Sequence, residues 1–177
     1  MASLVLTAIG DDRPGLVTAL SDLVTEHDGN WERSQMAELA GKFAGIVLVT
    51  VPDERVDALV ASLDRLREDG LLDVRADRAN PSGVTPTSIF HLDLVGSDRP
   101  GIVREISRAL ASCDASIDEL STATRDAPMA GGVLFEAHAV VRLAPDVEPS
   151  QVQSALEAVA NELMVDLRLS APDSHTL

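Results

Sequence analysis

The chain uses one eight-residue stretch twice. Gly10-Asp11-Asp12-Arg13-Pro14-Gly15-Leu16-Val17 returns 86 positions later as Gly96-Ser97-Asp98-Arg99-Pro100-Gly101-Ile102-Val103, with six of the eight positions identical. Solenoid units repeat every roughly 20–50 residues, so a period this long means two whole domains. At 177 residues the chain has room for two such domains of about 75 residues each. The sequence predicts a first domain over 1–78, a linker over 79–88, a second domain over 89–170 and a frayed tail over 171–177. The linker rests on Asn80-Pro81-Ser82-Gly83 and Thr85-Pro86-Thr87, the turn-forming run between the halves.

The order of elements is the same around both motifs. Residues 3–9 are short, apolar and partly β-branched, which predicts a half-buried strand. Pro14 fixes its own φ and biases Arg13 away from helix, so a helix is expected to begin at Pro14. Leu16, Val17, Leu20, Leu23 and Val24 share one face of it, and Gly29 is expected to stop it. Strands follow over 30–39 and 43–51 around an Ala40-Gly41-Lys42 turn. A second helix carries Val56, Leu59, Val60, Leu63 and Leu66, and a strand over 71–76 closes the unit. The second half repeats the order with strand 89–95, helix 100–113, strands 115–125 and 133–143, helix 149–163 and strand 164–169. The fold class is therefore α+β, βαββαβ twice. Right-handed crossovers then give a four-stranded antiparallel sheet with both helices on one face.

Charge and composition narrow the function. The formal net charge of −15 works against direct contact with nucleic acid or an anionic membrane. Aromatics are 2% of the chain, too few for stacking on single strands, and the core is aliphatic. The single cysteine, Cys113, excludes an internal disulfide and fits a reducing compartment. The N-terminus has no signal-peptide pattern, so the expected location is cytoplasmic. No apolar run is long enough to span a membrane. His27, His91, His138 and His175 show no metal-ligand spacing, and no cofactor motif or Ser-His-Asp pattern stands out. Nothing in the residues argues for an enzyme.

The two turns are the places where chemistry concentrates. Each joins a strand to a helix start, where backbone N–H groups lack partners and the helix dipole is positive. A carboxylate ligand can dock there. Asp12 and Asp98 offer acceptors for an ammonium group beside it, and a free amino acid carries both charges. The other reading is that Asp12 and Asp98 simply cap the helices. Asn30 and Ser116 hold equivalent places at the start of the second strand of each unit. Turn chemistry explains them equally well.

The strand, the Asp-Arg-Pro-Gly-Leu/Ile-Val helix start and the strand beginning at Asn30 or Ser116 resemble the ACT domain, over residues 4–77 and 90–170. Two such domains with nothing attached are similar to the glycine cleavage system transcriptional repressor family. The resemblance implies a ferredoxin-like fold and binding of a small molecule, typically an amino acid such as glycine. It implies one ligand site at Asp12, Arg13, Pro14, Gly15 and Leu16 with Asn30, and a second at Asp98, Arg99, Pro100, Gly101 and Ile102 with Ser116. Serine-sensing ACT domains have Asn where Asp12 and Asp98 stand and His where Gly10 and Gly96 stand, and Asn is usual where Ser116 stands. The resemblance further implies a homo-oligomer that acts through a partner protein, either a DNA-binding regulator or a metabolic enzyme. The alternative reading is a free-standing regulatory subunit of such an enzyme.

Overall fold

The computed structural model describes residues 1–79, 88–127 and 131–172. The linker expected at 79–88 falls, but for its two end residues, outside them, as do 173–177 of the expected tail. The chain divides into two compact units, Met1–Pro81 and Ser82–Leu177.

The first unit runs β1 (Ala2–Asp11), α1 (Leu16–Glu26), β2 (Asn30–Leu39), β3 (Lys42–Val51), a 3-10 turn (Asp53–Arg55), α2 (Val56–Glu68) and β4 (Asp73–Arg78). The second runs β5 (Ser88–Ser97), α3 (Ile102–Ser112), β6 (Ala115–Asp126), β7 (Val133–Leu143), α4 (Pro149–Leu163) and β8 (Val165–Ser170). Each builds one antiparallel sheet of four strands, in the order β2-β3-β1-β4 and β6-β7-β5-β8. The βαββαβ expectation holds in both halves.

Period-two burial places the helices on one face of each sheet. Leu4, Leu6 and Ala8 of β1 are buried, while Ser3, Thr7 and Ile9 between them are exposed. Val47, Val49 and Val51 of β3 share the buried side with Leu20 and Val24 of α1 and Leu59 and Leu63 of α2. The second core repeats this with Leu92, Leu94, Val141, Leu143, Ile106, Leu110, Val152 and Leu156. Truncating one of these leucines to alanine costs about 2–5 kcal/mol. Among the described residues Ser62 is the buried polar side chain, and its hydroxyl donates to the Ala58 carbonyl at 2.9 Å.

Several boundaries differ from the expected ones for local reasons. Helix α1 starts at Leu16, because Gly15 stands at φ 94° and breaks the helical path from Pro14. Gly101 repeats this at φ 100°. The left-handed residue that ends α1 is Asp28, at φ 57°, ahead of Gly29. Val17 and Val60, counted on the apolar stripes, are exposed on their helices. Ala40 and Gly41, at φ 51° and 79°, make a two-residue hairpin turn between β2 and β3. The last strand of each unit begins later than its apolar run, at Asp73 and Val165, since Met164 is a left-handed helix cap at φ 52°. In the longer loop between β6 and β7, residues 128–130 lie outside the described residues.

Gly10 and Gly96 are glycines because neighbouring chain crosses them closely. A Cβ on Gly10 would sit 2.3 Å from the Leu71 carbonyl oxygen, and one on Gly96 would sit 2.4 Å from a Val165 methyl. Gly15 has open space around it and is constrained by φ alone. Gly10→Ala is therefore expected to destabilise the first unit by about 1–3 kcal/mol through overpacking. Gly15→Ala costs about 1–2 kcal/mol through left-handed strain. Denaturant unfolding of both variants checks the order, and a neutral Gly10→Ala would contradict the close crossing.

Candidate functional site

Each repeated motif is a turn fixed at its ends by the rest of its own unit. The Asp12 N–H donates to the Gly41 carbonyl at 2.9 Å, and the Asp98 N–H donates to the Val133 carbonyl at 2.8 Å. The turn is thus tied to the β2–β3 or β6–β7 connection. Arg13 then reaches across and donates through Nη2 to the Gly70 carbonyl just past α2. Arg99 does the same to the Glu162 carbonyl near the end of α4, at 3.3 Å. A cation suits this place, because the end of a helix exposes unpaired carbonyls and the negative end of its dipole. Holding this pose leaves the Arg99 Nε buried without a hydrogen-bond partner. Pro14 and Gly15, or Pro100 and Gly101, turn the chain into the helix. The first helical bonds are Ala19 N–H to Gly15 at 2.9 Å and Glu105 N–H to Gly101 at 3.0 Å.

The capping reading of the aspartates fails in both repeats. The N-cap residues are Gly15 and Gly101, and no side chain hydrogen-bonds either helix start. Asp12 and Asp98 are exposed and form no hydrogen bond or ion pair among the described residues. Among the described residues, each unit therefore presents, in the turn between strand and helix, a carboxylate without a partner and a helix start that no side chain caps.

Asn30 and Ser116 are not part of the same constellation within a unit. Asn30 lies opposite Thr50, which on its other side faces Ser3, at the start of β1. Asp12 follows the far end of β1, where Asp11 faces Lys42. The eight residue steps from Ser3 to Asp11 span about 27 Å of strand. Ser116 sits in the same relation, opposite Arg142, which faces Ile89.

Sequence reasoning missed the ion pairs that flank these positions. Lys42 of β3 pairs with Asp11, directly across the ladder and next to the turn. The hydrogen bond and charge of Lys42 hold the Asp11 carboxyl below its ordinary value of 3.8. In the second unit Arg142 binds Asp118 at 2.9 Å beside Ser116, and that carboxylate raises the guanidinium's pKa. Asp118 is the extra residue where the β6–β7 register shifts, between Ile117 and Glu119. The available signal was weak, because pairing register across a long hairpin cannot be counted from sequence when a bulge intervenes.

The ACT-domain family profile matches residues 2–77 and again residues 88–170. The chain belongs to the ACT-domain family. It is 23% identical, over 162 residues, to the glycine cleavage system transcriptional repressor of Escherichia coli strain K12, covering 90% of this chain and 85% of that one. A crystal structure of an unknown protein from Galdieria sulphuraria superposes with a TM-score of 0.81 at 32% identity, over 96% of this chain and 98% of that chain. The crystal structure of a candidate glycine cleavage system transcriptional repressor gives a TM-score of 0.69 at 20% identity, over 96% of each chain. The last of these speaks to the fold alone.

The open sheet face of the second ACT domain also aligns a serine, a histidine and an aspartate. Ser121, His138 and Asp93 stand opposite one another on β6, β7 and β5, and His138 Nδ1 lies 2.6 Å from Asp93 Oδ1. The residue types are those of a hydrolytic triad, but Ser121 makes no hydrogen bond to His138. Within the unit Ser121 and His138 are exposed and Asp93 is half-buried. Nucleophile activation needs that contact and an enclosed oxyanion site.

Two outcomes check this geometry. Asp12→Ala is expected to change folding stability by less than about 0.5 kcal/mol, against about 0.5–2 kcal/mol for loss of a real cap. Urea unfolding distinguishes them. The Asp11 carboxyl titrates lower in the folded state, so its contribution is full above the unfolded value and is lost as pH falls through the folded one. Asp11→Asn is therefore expected to flatten the acid limb of the melting temperature below about pH 5. An unchanged limb would remove Lys42–Asp11 from the account.

Proposed function

We propose that this tandem ACT protein is a non-enzymatic regulator that binds an amino acid such as glycine at its Asp-Arg-Pro-Gly turns and acts by protein contact. The observation that carries this reading is the uncommitted carboxylate of Asp12 and of Asp98, each beside the first N–H groups of a helix. That pair of features offers an acceptor for an ammonium and donors for a carboxylate within one short turn. Gly15 and Gly101 keep the approach free of Cβ atoms. The arginines of the motifs serve the turn and not the ligand, since Arg13 and Arg99 are spent on helix-end carbonyls.

Asn30 and Ser116 enter such a site only from another ACT domain, because each lies at the wrong end of its own sheet. A site completed by a second copy of the chain links ligand binding to association, which suits a homo-oligomer. The similarity to a glycine cleavage system transcriptional repressor over most of both chains supports a role in control of glycine catabolism. The charge of −15 supports an action on DNA through a partner protein and not by direct contact.

A thermal-shift screen of the twenty amino acids tests the reading. At about 100 times its dissociation constant the ligand is expected to add about 2.7 kcal/mol, roughly 10 °C for domains of this size. Asp12→Ala with Asp98→Ala is expected to abolish the shift while leaving the ligand-free melting temperature in place. If no amino acid raises the melting temperature at millimolar concentration, the proposal falls. Co-purification separates a DNA-binding partner from an enzyme.

A further inference from the structure

In the first ACT domain β1 outruns one of its two neighbours. Its ladder with β4 stops where Ile9 faces Asp73, whereas its ladder with β3 continues until Asp11 faces Lys42. Opposed residues of an antiparallel ladder alternate between pairs that exchange N–H···O bonds and pairs that do not. The Asp12 N–H donates to the Gly41 carbonyl, so Asp12 turns its peptide groups toward β3 and Asp11 turns its own toward the β4 side. In the register of β4, the residue that would meet Asp11 there is Leu71. It is engaged elsewhere. The Leu71 N–H donates to the Leu66 carbonyl at 2.7 Å, and the Leu71 carbonyl lies against Gly10, 2.3 Å from where a Cβ would stand. Among the described residues the Asp11 N–H and carbonyl thus have no backbone partner on that side.

A cavity of about 410 Å³ opens at this break in the ladder. Ile9, Asp11, Lys42, Arg67, Leu71 and Asp73 line it. Its two cations are committed, Lys42 to Asp11 and Arg67 to Asp64 at 3.1 Å. Asp73 is exposed, and an ion pair made in water there adds little. A charged guest therefore gains little from the walls. What the cavity offers is one donor and one acceptor of the same strand residue, aimed the same way, beside the apolar surfaces of Ile9 and Leu71. Ile9 is 52% exposed, so a guest has hydrocarbon to cover.

We propose that this break in the β1–β4 ladder binds a small neutral amide, a primary carboxamide or a lactam, in the place of the missing strand residue. An amide group carries an acceptor and a donor side by side, which is what a ladder partner presents to Asp11. Its hydrocarbon then lies on Ile9 and Leu71. Neither Asp12 nor Gly15 lines the cavity, so the inference stands apart from the amino-acid reading of the turns.

Titration of the full chain with propionamide, followed by amide and methyl chemical shifts in two-dimensional NMR, tests it. Saturable shifts are expected at the Asp11 amide and at the Ile9 and Leu71 methyls. Propionate keeps an acceptor and lacks the donor, whereas propylammonium keeps donors and lacks the acceptor. Each is expected to bind here at least about tenfold more weakly, the worth of one hydrogen bond. Asp11→Pro removes the N–H without breaking a ladder bond, and is expected to abolish the shifts at Ile9 and Leu71. Should that variant unfold, Ile9→Glu places a charge on the exposed apolar wall and is expected to abolish the Leu71 shifts. Absence of saturable shifts with propionamide overturns the inference. So does an equal or tighter response to propionate or propylammonium, which would make the cavity a site for charge. A propionamide response that survives the substitutions overturns it as well.

Discussion

Each domain depends on the strand that leads into its motif, which is paired along both edges and buried on one face. β1 hydrogen-bonds to β3 and β4, and β5 to β7 and β8. Their inward side chains, Leu4, Leu6 and Ala8 or Leu92 and Leu94, meet the helices and set the register of everything else. A slip by one residue would turn those chains outward and bring Ser3, Thr7 and His91 inside. The turn that follows this strand is consequently the best-positioned surface feature of the domain. Its backbone is bonded to the neighbouring hairpin, and its arginine to the end of the second helix, so it has little freedom of its own.

That arrangement explains why the motif reads as it does. Arg13 and Arg99 fasten the turn, Pro14 and Pro100 set its direction, and Gly15 and Gly101 supply the positive φ that lets a helix begin at the next residue. Gly10 and Gly96 precede the turn because Leu71 and Val165 run past them within reach of any Cβ. This accounts for the departure from ACT domains with histidine there: the close crossing leaves no room for a ring. Asp12 and Asp98 share in none of these structural duties, unlike the arginines of the same motif.

Much of this was legible in the sequence. The duplicated motif gave two domains, and periodicity in Leu, Val and Ile gave eight strands and four helices in the right order. What escaped was set by tertiary neighbours. Pro14 looked like a helix start because proline favours that position, yet the next residue's φ overrides it. Val17 and Val60 fit the apolar stripe by spacing, but they lie outside the core cluster and are exposed. Asn30 seemed close to Asp12 by analogy, while strand direction puts them at opposite ends of a sheet. The ion pair Arg142–Asp118 depends on hairpin register, which a bulge shifts without a sequence signal, and Lys42–Asp11 on the pairing of β1 with β3, strands that are not neighbours in sequence.

The separation of turn and strand start has a thermodynamic consequence. β1 and β2 run parallel, both antiparallel to β3 between them, so their first residues share one end and the turn lies at the other. No motion within a domain brings Asn30 to Asp12 without dissolving the sheet. A ligand that touches both kinds of residue must bridge two ACT domains. By linkage, whatever factor association adds to ligand affinity, the ligand adds to association. A ligand that used the turn alone would leave association unchanged, because only a difference in affinity between the free and associated forms shifts that equilibrium. Such a change in assembly is a physical output that a partner protein can read.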